Sequence, residues 1–78
     1  MAGKFDRDKA KHALEFEYTW ASNGDENNRR IVTRYWDDFE EIDVYECEDS
    51  RETVRTDNLE AALDFLEFGK SIPISELI

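Results

Sequence analysis

From His12 to Ala21 the even positions His12, Leu14, Phe16, Tyr18 and Trp20 are mostly apolar or aromatic, and Glu15, Glu17 and Thr19 lie between them. A period of two predicts a half-buried strand. Ahead of it, residues 4–11 (KFDRDKAK) are charged and mixed in sign, which suggests a leader arm. Behind it, residues 22–28 (SNGDENN) hold no apolar side chain, and Asn23 and Gly24 readily take the positive φ of a chain reversal. A turn is expected there.

Residues 29–42 (RRIVTRYWDDFEEI) set two principles against each other. At about 100° per residue, Ile31, Val32, Tyr35, Trp36, Phe39 and Ile42 share one side of a helical wheel. Against that, Ile, Val, Thr, Tyr and Trp are strand formers. Arg29 and Arg30 would also meet the positive end of a helix dipole, and Asp38, Glu40 and Glu41 the negative end. Propensity and dipole together favour a strand over 30–37 closed by a turn near 37–41.

Residues 42–48 and 51–56 flank Asp49-Ser50, which reads as a two-residue hairpin turn. The register it implies sets Glu48 against Arg51, Cys47 against Glu52 and Tyr45 against Val54. Residues 57–69 (DNLEAALDFLEFG) carry helix signals at both ends: Asp57 as N-cap, Glu60 in the capping-box place, and Gly69 as the stop. Leu59, Ala62, Leu63 and Leu66 form the core stripe, widened by Ala61, Phe65 and Phe68, and Asp57, Glu60, Asp64 and Glu67 share a narrow arc. The tail, residues 70–78, supplies Ile72, Ile74, Leu77 and Ile78 around Pro73, enough to fold over Phe65 and Phe68.

The expected fold is α+β. A small antiparallel sheet of three to four strands, drawn from residues 12–56, packs one face on a single C-terminal helix over 57–69, with βαββα as the alternative. With the arm 1–11 and the tail 70–78 this makes one domain, since 78 residues leave no room for a second.

Composition narrows the function classes. The only cysteine, Cys47, cannot form an internal disulfide, and no apolar run reaches the roughly 18 residues of a membrane span. The N-terminus lacks the apolar stretch of a signal peptide. A cytoplasmic protein is expected, in a bacterial or other host cell if it is virus-encoded. Cys47 and His12 are the only nucleophile–base candidates of their type, with no orienting third group, and are read as a buried thiol and a half-exposed strand histidine. Two Cys or His residues in total are too few for a usual zinc site, and no glycine loop cradles a phosphate. The expectation is no enzyme, no cofactor and no metal.

Charge is the most unusual feature, because 20 acidic residues against 10 basic ones give a formal net charge of −10. Up to Trp36 the chain holds seven basic and six acidic residues; beyond it, three and fourteen. Asp37, Asp38, Glu40, Glu41, Asp43, Glu46, Glu48 and Asp49 place eight carboxylates in thirteen residues with no basic residue between them. A solvated face that keeps a small protein soluble would account for this. A sharper reading joins the run to Glu60, Asp64 and Glu67 as a ridge suited to a basic groove built for nucleic acid, with Tyr35 and Trp36 as aromatic anchors. The expected function is then a small acidic protein-binding module, an inhibitor that occupies a basic, nucleic-acid-binding site on a partner protein, in the manner of a virus-encoded nucleic-acid mimic. Nucleic acid itself would be repelled and no membrane is engaged. The alternative is a structural subunit or homodimer using an aromatic sheet face. A monomer is expected over a homodimer, because two bodies of charge −10 repel.

Overall fold

The computed structural model describes residues 5–69, in the order α1 (Arg7–Glu15), β1 (Trp20–Ser22), β2 (Ile31–Asp37), β3 (Ile42–Glu48), β4 (Thr53–Thr56) and α2 (Leu59–Phe68). The strands form one antiparallel sheet in sequence order, β1-β2-β3-β4. The fold is α+β with the expected C-terminal helix, and a second helix joins it at the N-terminal side. The tail 70–78, with its expected fold over Phe65 and Phe68, lies outside the described residues.

That second helix corrects the reading of residues 7–15 as leader arm and first strand. Asp6 caps it by accepting the Lys9 N–H at 3.1 Å, and Ala10 and Leu14, one turn apart, are its buried residues. The alternation from His12 to Trp20 runs across the end of this helix and does not mark a strand. Leu14 is buried, but Phe16, Tyr18 and Trp20 are exposed, and only Trp20–Ser22 pairs as strand.

Strand β2 resolves the conflict over residues 29–42 in favour of propensity. It pairs with β3 from Ile31↔Glu48 to Asp37↔Ile42, and residues 38–41 make the turn. The expected turn at 22–28 is present and is built around buried Asn23. Its side chain donates to the Asn28 carbonyl at 2.7 Å and accepts the N–H groups of Asp25 and Arg30 at 3.2 and 3.0 Å.

The β3–β4 register differs from the expected one by two residues, with Glu48 opposite Thr53 and Cys47 opposite Val54. The turn is longer than Asp49-Ser50: the Asp49 N–H donates to the Glu52 carbonyl, and the Asp49 carboxylate accepts from the Arg51 and Glu52 N–H groups, both at 2.8 Å. A carboxylate that accepts two turn amides satisfies more backbone than a bare two-residue reversal. Because the shift is even, each side chain keeps its expected face. At α2 the N-cap is Asn58, which accepts the Ala61 N–H at 3.1 Å, and not Asp57.

Register separates the two faces. Ala21, Val32, Cys47 and Val54 lie in one cross-strand row, with Arg34, Tyr45 and Thr56 in the next row on that face. There both helices pack, so two helices cover this face instead of the expected one, and Leu14, Ala62, Leu63, Phe65 and Leu66 complete the core. Trp20, Thr33, Glu46 and Arg55, then Tyr35 and Val44, occupy the opposite face.

Two arginines on the helix-bearing side fasten the helices to the sheet. Arg34 donates to the Leu14 and Glu15 carbonyls at 2.9 and 3.1 Å, closing the C-terminus of α1. Its guanidinium also binds Asp43 at 2.8 Å, lies 4.2 Å from the Tyr18 ring centroid and 5.6 Å from that of Tyr45. Arg30 donates twice to the Leu66 carbonyl, at 3.0 and 3.3 Å, closing α2. Gly69 permits this in two ways: its φ is +70°, and a Cβ there would stand 3.0 Å from the Arg30 guanidinium.

Replacing Arg34 by Met should therefore destabilise the fold by about 3 kcal/mol, since Asp43 and two helix carbonyls lose their donor. Urea unfolding checks this. Arg34→Lys should recover only part, because an ammonium cannot span carbonyl and carboxylate as the planar fork does.

Candidate functional site

The eight carboxylates of residues 37–49 do not act alike once folded. Asp37 ends β2 and accepts the Phe39 and Glu40 N–H groups at 2.8 and 3.0 Å while holding Arg55 at 2.6 Å. These bonds, the Glu40 N–H first, hold its carboxyl below the usual range. Asp43 is bound by Arg34 and accepts the Tyr18 hydroxyl. Asp49 organises the β3–β4 turn, and its two amide donors, Arg51 first, lower its carboxyl as well. Three of the eight thus serve the fold.

The other five, Asp38, Glu40, Glu41, Glu46 and Glu48, make no hydrogen bond or ion pair among the described residues. Asp38, Glu40 and Glu41 are exposed on the β2–β3 turn, and Glu46 and Glu48 lie on the sheet face opposite the helices. The helical arc is elsewhere. Glu60, Asp64 and Glu67 converge on Arg7 of α1, at 2.8, 3.0 and 2.8 Å. Hydrogen bonds to Glu60 and Glu67 push the Arg7 pKa further up. The stripe belongs to the helical layer and staples α1 to α2, whereas Glu46 and Glu48 of the strand run lie on the opposite sheet face.

The aromatic candidates also separate. Tyr35 lies on the open sheet face with the Arg55 guanidinium 5.8 Å from its ring centroid, whereas Trp36, opposite Asp43, is on the helix-bearing face and 49% exposed. Phe39, at the tip of the acidic turn, is 96% exposed. Sequence reasoning missed it by placing it on the apolar side of a helical wheel. The available signal was that a turn between strands leaves the phenyl ring of D-D-F-E-E no core to enter.

Cys47 and His12 are not brought together. The thiol is fully buried, burial pushes its pKa up to about 12, and its bond is to the Tyr45 carbonyl. The His12 ring is exposed on α1 beside Glu17 and Phe16. Among the described residues no group of three or more His, Cys, Asp or Glu is arranged to hold a metal ion, and no helix is long and apolar enough to cross a membrane. Comparisons with protein-family models, curated proteins and solved structures return no match.

Arg7→Ala should cost roughly 1 kcal/mol, a figure reduced for solvent screening of these half-exposed pairs. It should also make stability more salt-dependent, because three neighbouring carboxylates lose their common cation. Melting at about 20 and about 300 mM NaCl measures this, with a larger salt-induced rise in Tm for the variant than for wild type.

The lowered pKa values of Asp37 and Asp49 set the acid limb. Their contribution is present above the ordinary carboxylate value of 3.8 and is lost as pH falls through the lower folded-state values. Asp49→Asn keeps an oxygen for both turn amides and cannot titrate. Its stability should fall less steeply below about pH 4 than that of wild type, as followed by urea midpoints across pH.

Proposed function

We propose that the protein is a small acidic binding module that docks on a basic partner protein and occupies a surface the partner uses for nucleic acid. One observation carries the reading: the carboxylates of Asp38, Glu40, Glu41, Glu46 and Glu48 make no hydrogen bond or ion pair among the described residues, and the turn and sheet that bear them hold them in place. Side chains at alternate positions such as Glu46 and Glu48 recur every ~6.6 Å along a strand, so their spacing is set by the backbone. Fixed like charges speed the encounter with a surface rich in Lys and Arg, and they repel nucleic acid. The further step, to a virus-encoded nucleic-acid mimic acting as inhibitor in a host cytoplasm, rests on size and charge.

A second reading, a structural subunit or homodimer, draws on the open sheet face, where Trp20 is 57% exposed and lies in the strand row beside that of Tyr35. Among the described residues no helix packs on that face of the sheet.

An array of purified proteins spanning acidic to basic isoelectric points separates the two. Captured proteins should be basic, should be released at about 500 mM salt, and should lose the module to competing duplex DNA. Captured proteins of neutral or acidic character, or none above background, would remove the binding-module reading. A sedimentation mass of two chains at about 100 µM would support the homodimer.

A further inference from the structure

The β2–β3 turn carries two residues whose side-chain types the core does not call for. Glu41 has φ +59°, in the left-handed region that glycine or asparagine enters far more readily than a residue with a long side chain. Two positions earlier, the Phe39 ring is 96% exposed and belongs to no part of the core. Strained backbone and a solvated aromatic ring in one turn mark a place where a requirement other than folding has chosen the residues.

The turn that bears them is well braced. The Asp37 carboxylate accepts the Phe39 and Glu40 N–H groups and holds Arg55 on β4, and the Glu41 N–H donates to the Asp37 carbonyl at 2.7 Å. A ring on such a platform loses little freedom when it docks, and buried aromatic anchors are the residue type that carries most interface energy. Around the ring stand Asp38, Glu40 and Glu41, all exposed and without an ion pair among the described residues. The nearest arginine in the bonding pattern, Arg55, is already committed to Asp37.

A purely apolar partner surface would strip water from those three carboxylates without compensation. A second copy of the chain would bring its own charge of −10 against them. An apolar pocket rimmed by lysine and arginine satisfies ring and carboxylates together. We infer that the β2–β3 turn is the docking element of the module. Phe39 enters an apolar pocket on the basic partner, and Glu41 holds its strained backbone so that its carboxylate meets the basic rim. This deepens the proposed acidic-module reading and rests on it.

Two arms test it on the full chain. In the first, thermal unfolding of Phe39→Ser and Glu41→Gly needs no partner: Phe39→Ser should leave Tm within about 2 °C of wild type, and Glu41→Gly should raise it by relieving the left-handed strain. A fall of several degrees in either variant would assign these residues to the fold and overturn the inference. In the second, the basic array proteins captured by wild type are measured again. Phe39→Ser should bind about thirty-fold more weakly, chiefly through faster dissociation, with an unchanged salt slope. Reversing Asp38, Glu40 and Glu41 to Lys should instead slow association and flatten the salt slope. Wild-type affinity in Phe39→Ser alongside lost capture in the charge-reversed variant would overturn the anchor and leave the acidic module standing. Failure of wild type to capture any basic protein would remove both, and a wild-type dimer made monomeric by Phe39→Ser would name a second copy as occupant and overturn the basic partner.

Discussion

The packing of both helices depends on Arg30 and Arg34, two guanidinium groups four residues apart at and beside β2. Each reaches the C-terminus of a different helix, where unpaired carbonyls and the negative end of the dipole need a donor. A helix laid on a sheet can slide or rotate while its apolar stripe stays buried. A charged fork from the sheet to particular carbonyls removes that freedom. Arg34 is the more constrained of the two, because Asp43 holds it from β3 and the rings of Tyr18 and Tyr45 lie near its faces. Tyr18 reaches that position with φ +55°, so local backbone strain is accepted to complete the cluster.

The same economy of cations explains where negative charge surfaces. Arg7 gathers the carboxylates of α2, Arg30 and Arg34 close helices, and Arg55 braces the β2–β3 turn through Asp37. Four arginines of a chain with 10 basic residues are thereby committed to internal work. The acidic surplus appears on the turn and open sheet face, where Arg55 is the committed arginine and its hydrogen bond goes to Asp37. Asp37 has a double role, since the bonds that lower its pKa also present Phe39 to solvent.

Much of the architecture was legible from short-range chemistry. Propensity and helix-dipole sign placed β2 as a strand against its helical periodicity, Gly69 marked the end of α2, and Asn23-Gly24 the first turn. The N-terminal helix was not, because the alternation of Leu14, Phe16, Tyr18 and Trp20 imitates a strand although it runs past the helix end at Glu15, and only Leu14 of the four is buried. Asp6 ahead of Ala10 and Leu14 was the discriminating signal, a cap followed by apolar residues one turn apart. The acidic run of the candidate site was equally plain, and Phe39 was hidden by the wheel that also argued for a helix over 29–42.

Composition and local pattern alone determined an α+β chain of strong negative charge, with strands over 30–37, 42–48 and 51–56 and a helix over 57–69. Those features follow from propensities, turn residues and formal charges, all of which act over a few residues. Which carboxylates stay free was decided only in three dimensions. Ion pairing depends on which face of the sheet a side chain occupies and which helix lies across it, and neither is written in sequence spacing. Glu60, Asp64 and Glu67 meet Arg7 across more than fifty residues of chain, and Asp37 meets Arg55 across a strand between them. Tertiary structure thus divided one apparent acidic ridge into carboxylates that hold the fold and carboxylates that face outward, because a cation fixed by packing selects its partners by position.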